Sequence, residues 1–125
     1  MNHPSFNSDK YVNWLSSADP WQREEALEVV WHAGIEGCEE QICAILRTDN
    51  VITIRRLAIK MLKEKNNPAF RENFVEALGD EDWCVRGWAI LALKEVDDNW
   101  QEIPEVAALL AEATHDFVRY CADIM

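Results

Sequence analysis

Hydrophobic residues recur along this chain at helical spacing, in short runs separated by caps and breakers. Asp19-Pro20 offers an N-cap followed by proline at the first helical position, where its missing N–H costs nothing. From there Ala26, Val29, Val30 and Ala33 trace one face, and Gly34 stops the run. Cys38 to Leu46 follows with Ile42, Ile45 and Leu46 as its stripe. Asp49 or Asn50 caps a helix predicted through about Glu64, built on Ile54, Ala58, Met61 and Leu62. Asn67-Pro68 opens the next, with Phe70, Phe74, Val75 and Leu78 inward and Gly79 at its end. Asp82 opens another, with Val85, Ala89, Ala92, Leu93 and Val96 on one face. Pro104 starts a helix over Val106 to Ala113, and a last helix carries Val118 and Ala122. A first helix around Asp9 to Leu15 completes four pairs. No period-two alternation competes, and the longest connector runs from about Asp97 to Ile103.

The pairs repeat one frame. Asp49 lies six residues before Arg55, with Ile54 just before that arginine and Ala58 three after it; Asp80, Val85, Arg86 and Ala89 do the same. Arg23 with Ala26, and Arg119 with Val118 and Ala122, keep the core of the pattern. The four arginines are 32, 31 and 33 residues apart. So constant a period predicts a stack of one supersecondary unit, here one domain over 1–125 with repeats near 8–34, 35–66, 67–98 and 99–125. The recurring alanine lets neighbouring helices approach. The first repeat departs from the frame at Gln22, where the others hold an aliphatic residue.

These residues resemble HEAT repeats of the short type found in phycobilisome lyases, whose pattern is Asp-x-Asp-x-x-Val-Arg-x-x-Ala-x-x-Ala-Leu. Asp80, Asp82, Val85, Arg86, Ala89, Ala92 and Leu93 match at every place, and Asp49, Arg55, Ala58 and Leu62 carry a second copy. Asp19, Arg23 and Ala26 keep part of a third. The resemblance implies an all-α, right-handed α-solenoid of about four two-helix HEAT-like repeats, with the arginine-bearing helices as the inner layer. It also implies that each arginine bonds an aspartate or carbonyl at a neighbouring turn, so that Asp19, Asp49, Asp80 and Asp82 are caps and ladder partners.

Charge narrows the function. With 12 basic and 23 acidic residues the net charge is −11, which opposes phosphate-backbone binding; no nucleic acid is expected. Only the second repeat, near Arg56, Lys60, Lys63 and Lys65, is locally basic. No apolar run approaches the roughly 18 residues of a membrane span, and Met1 to Ser8 has no signal-peptide core. A cytoplasmic chain without a membrane partner is expected. Cys38, Cys43, Cys84 and Cys121 show no metal spacing and are expected reduced and semi-buried. His3, His32 and His115 are separated in sequence, Ser5, Ser8, Ser16 and Ser17 sit in no nucleophile elbow, and the four glycines form no phosphate loop. No enzyme, metal or cofactor is expected.

Six tryptophans in so short a chain are the remaining signal. Core filling and end caps account for most such residues; the alternative is an exposed anchor, since tryptophan dominates interface hot spots. Trp31 and Trp88 are the favoured anchors. Leu57 occupies the place of Trp88 in the second repeat and Glu25 in the first, giving a mixed apolar and acidic row. Glu24, Glu25 and Glu28, with Lys60 and Leu91, complete the expected partner-binding set. Glu81, Asp82, Glu95, Asp97 and Asp98 extend the acidic surface, which either solvates the chain or steers a basic partner. The expected function is a protein–protein interaction module, specifically an acidic inhibitor or immunity protein against a basic toxin or enzyme. A generic adaptor or scaffold is the alternative, and a bilin-lyase-type chaperone subunit a more distant one.

Overall fold

The structure, a computed structural model, describes residues 7–112 and 115–124. Met1, His3, Ser5, the expected helix end at Ala113, and Met125 lie outside the described residues. Helices follow in four pairs: α1 (Ser8–Trp14) with α2 (Pro20–His32), α3 (Glu39–Thr48) with α4 (Ile52–Glu64), α5 (Arg71–Ala77) with α6 (Trp83–Val96), and α7 (Pro104–Ala111) with α8 (Asp116–Asp123). Among the described residues there is no strand. The chain is an all-α solenoid.

Local chemistry sets the boundaries. Asp19 caps α2 by accepting the Trp21 N–H at 2.9 Å. Asp82 caps α6 by accepting the Val85 N–H at 3.1 Å. At the end of α2 the Ile35 N–H reaches the Val30 carbonyl and the Gly34 N–H the Trp31 carbonyl. This reverse turn needs a left-handed residue, and Gly34 supplies it at φ 66°. Two expectations change. Asp49 does not cap α4 directly: the cap position is Val51, whose N–H the Asp49 carboxylate accepts at 2.9 Å. The helix expected from Pro68 splits into a 3-10 turn, Pro68–Phe70, before α5, because the Phe70 N–H bonds the Asn67 carbonyl at 3.0 Å. A second 3-10 turn, Trp100–Glu102, occupies the connector before α7.

The arginine-bearing helices α2, α4, α6 and α8 pack in succession, and α1, α3 and α5 lie against their partners on the other side. The repeated alanines Ala26, Ala58 and Ala89 are fully buried at this seam. Ile54, Val85 and Val118, just before their arginines, are buried beside them. Gly87 marks the closest approach. A Cβ there would lie 2.5 Å from Phe117 Cδ2 and 3.2 Å from Cys121 Sγ, so α8 docks where α6 has no side chain. Lys94 fixes the far end of α8 by donating to the carbonyls of Cys121, Ala122 and Ile124.

Candidate functional site

Two charge systems share the molecule, and separating them isolates the candidate surface. The first is a ladder along the turns between repeats. Arg23 forks onto Asp49 at 2.8 and 3.0 Å and donates a third bond to the Ser17 carbonyl at 2.9 Å. Arg55 repeats this one unit on, meeting Asp80 at 3.0 and 3.1 Å and the Asp49 carbonyl at 2.7 Å. Among the described residues, Arg119 reaches only the carbonyls of Leu110 and Glu112, at 2.9 and 3.1 Å. The arginines are structural, as the repeat frame implies.

Two further pairs extend the ladder: Arg56 with Asp82 at 2.8 and 2.7 Å, and Arg71 with Asp97 at 2.9 Å. The Arg56 hydrogen bond, with the Val85 N–H, holds the Asp82 carboxyl below its usual value despite burial. The Arg71 hydrogen bond, with the Asn99 N–H, does the same for Asp97. Both aspartates therefore leave the expected acidic surface: Asp82 is only 6% exposed, and both carboxylates are neutralised within the fold. The signal for these pairs is a spacing of 26 residues, shared by Arg23–Asp49, Arg56–Asp82 and Arg71–Asp97.

The second system lies on the open side of α2, α4 and α6. Glu24 and Glu28 are exposed one turn apart on α2, and Glu25 is half-buried between them. Glu28 meets His32 at 3.3 Å. Among the described residues, Glu24 and Glu25 have no lysine or arginine within ion-pairing distance. Trp31 and Trp88, the expected anchors, are half-buried and roofed by lysines from the neighbouring repeat. Lys65 Nζ sits 5.5 Å from the Trp31 ring centre. Lys60 and Lys63 sit 5.3 and 5.9 Å from that of Trp88. Lys63 also reaches Glu95 at 2.7 Å. Each ammonium group thus lies within cation–π reach of a ring on the adjacent helix. Leu57 and Leu91 are half-buried against the core. The structure thus brings Trp88 and Lys60 together and puts the three glutamates on a separate helix of the same row.

The most open tryptophans are instead Trp21, 61% exposed, and Trp83, 37% exposed. Trp21 lies 6.4 Å from Trp14 at the first repeat's edge. Trp83 stacks on His115 with ring centres 4.2 Å apart. Both sit in the first turn of their helices, α2 and α6, and sequence spacing carries no signal of this exposure.

All four cysteines are free and buried. Burial raises the thiol pKa values of Cys38 and Cys43 and pushes Cys121 up to about 11. Among the described residues no group of three or more metal-ligating side chains converges, and no helix is long and apolar enough to cross a membrane.

Among protein-family models, that for HEAT repeats matches residues 39–122. Curated proteins yield no match. The chain is similar to the solved complex of CpcE and CpcF of phycocyanin lyase from Nostoc sp. PCC7120, at 22% identity and a TM-score of 0.66. That likeness covers 88% of this chain and 44% of the solved one, so this chain spans less than half the length of its neighbour. At this identity the likeness shows the fold.

Proposed function

The chain belongs to the HEAT-repeat family, and from that premise we propose that it is a non-enzymatic protein-binding module whose contact surface is the open side of α2, α4 and α6. The observation that carries this reading is the division of carboxylates. Asp49, Asp80, Asp82 and Asp97 are consumed by arginines, whereas Glu24, Glu25 and Glu28 are not. They stand on α2, at one end of a row that continues with Leu57 on α4 and ends on α6 with Trp88 beneath Lys60. Carboxylates without an arginine or lysine partner, in one row with half-buried aromatic surface, suit a basic protein partner, with charge steering the encounter and apolar contact holding it.

The net charge of −11 favours the specific form of an acidic inhibitor or immunity protein, its glutamates standing in for the phosphates of a basic enzyme's substrate. Association kinetics test this. With a captured basic partner, Glu24→Lys, Glu25→Lys and Glu28→Lys together are expected to slow association at low salt by about tenfold. An unchanged on-rate rejects steering by this cluster. The likeness to the phycocyanin lyase complex supports a second reading, a bilin-lyase-type chaperone subunit. Visible absorbance from a co-purifying bilin would favour it over inhibition.

A further inference from the structure

One rung of the ladder is incomplete. Arg23, Arg55 and Arg86 each give an N–H to the backbone carbonyl six residues earlier, Ser17, Asp49 and Asp80, at 2.9, 2.7 and 2.9 Å. Arg23 and Arg55 then fork onto the aspartate of the next repeat. Arg86 has no such carboxylate among the described residues, and its Nε is buried without a hydrogen-bond partner. The acceptors of Arg23 and Arg55, Asp49 and Asp80, stand six residues before Arg55 and Arg86. A buried donor left unpaired is destabilising until an acceptor reaches it.

Arg86 opens into a groove of about 560 Å³ between the third and fourth repeats. Leu78, Ala108 and Leu109 supply apolar wall, and Asp80, already paired with Arg55, lines the rest with Glu81, Glu105, Glu112 and His115. The two parts demand different things of a ligand. The unpaired Nε of the part-buried Arg86 calls for a carboxylate, preferably one accepting two parallel N–H bonds, as in the two complete rungs. The surrounding glutamates repel a free anion and attract cations.

We infer that this groove binds a protein segment in which one aspartate or glutamate is flanked by basic side chains, its carboxylate completing the rung on Arg86. The flanking ammonium or guanidinium groups pair with Glu81, Glu105 and Glu112. The site rests on the reading of this chain as a protein binder and gives it an anchor separate from the α2–α4–α6 row.

The test is an NMR titration of the full chain, reading the Arg86 Nε–Hε resonance assigned with Arg86→Lys. The probes are the capped tripeptides Lys-Asp-Lys and Lys-Asn-Lys, with acetate and free lysine as small-molecule arms. Lys-Asp-Lys is expected to shift the Arg86 resonance saturably and to bind at least about tenfold more tightly than Lys-Asn-Lys, since a charge-assisted fork is lost. Glu105→Gln with Glu112→Gln, which leaves the ladder intact, is expected to weaken Lys-Asp-Lys several-fold. Equal binding of the two peptides, an unmoved Arg86 resonance, or acetate or lysine binding as tightly as Lys-Asp-Lys would overturn the proposal. Glu24→Lys and Glu28→Lys should leave this titration unchanged, so its failure and failure of the row-face reading are seen in different variants.

Discussion

Arg55 is the ladder member whose removal is most informative. It is 6% exposed and donates three hydrogen bonds, two to the Asp80 carboxylate and one to the Asp49 carbonyl. Arg55→Met keeps most of the apolar stem and deletes the fork. Breaking a buried ion pair from one side costs about 3–5 kcal/mol, chiefly because the other charge is left behind. Asp80 retains the Asp82 N–H at 2.9 Å and some solvent access, its side chain being 11% exposed, so the low end, about 3 kcal/mol, applies. With an unfolding entropy of about 2.1 cal/mol/K per residue over 125 residues, that is a fall in Tm of roughly 11 °C. Arg119→Met is the control. Arg119 is exposed and, among the described residues, meets only two carbonyls, so its loss should cost under about 1 kcal/mol. Urea and thermal melts followed by circular dichroism read both, and a cycle with Asp80→Asn isolates the pair. If Arg55→Met stays within about 1 kcal/mol of the parent, or Arg119→Met costs as much, the ladder does not join the repeats as described.

Gly87→Ala gains helix propensity worth about 1 kcal/mol, yet its Cβ meets Phe117 and Cys121; overpacking of about 1–3 kcal/mol should win, and a stabilised variant would refute the close docking of α8. Asp82 has a depressed folded-state pKa, so its contribution is complete above the unfolded value near 4 and fades as pH falls through the folded value. Asp82→Asn should therefore flatten the acid limb of Tm against pH, and an unchanged limb would contradict the Arg56 pairing. The four thiols are buried, so a native-state thiol reagent should label none quickly and denaturant should release four; rapid native labelling of Cys121, its pKa raised to about 11 by burial, would be inconsistent with the packing of α6 on α8.

What could be read from the sequence was whatever one repeat contains or the period transmits. Helix caps at Asp19 and Asp82, the stop at Gly34 and the buried alanines follow from the frame, and the resemblance to HEAT repeats implied the kind of partner that Arg23 and Arg55 find. What escaped depends on side chains crossing between repeats outside that frame. Lys65 covers Trp31, and Lys60 and Lys63 cover Trp88, because lysine stems four carbons long reach the adjacent helix; no spacing rule reports that reach. Asp97 read as surface charge, and Asp82 as both cap and surface charge, because their arginines, Arg56 and Arg71, lie outside the repeated arginine position. Gly87 carries no local signal either, since its reason is a ring on α8.

The most direct measurement of the central claim is affinity capture by the chain at low and moderate salt, run beside the Glu24→Lys, Glu25→Lys, Glu28→Lys variant and a Trp88→Ala variant. One stoichiometric basic protein is expected, its capture weakened by salt and by both variants. A partner retained equally by both variants, or no stoichiometric partner at either salt, would contradict a protein-binding surface on the α2–α4–α6 row.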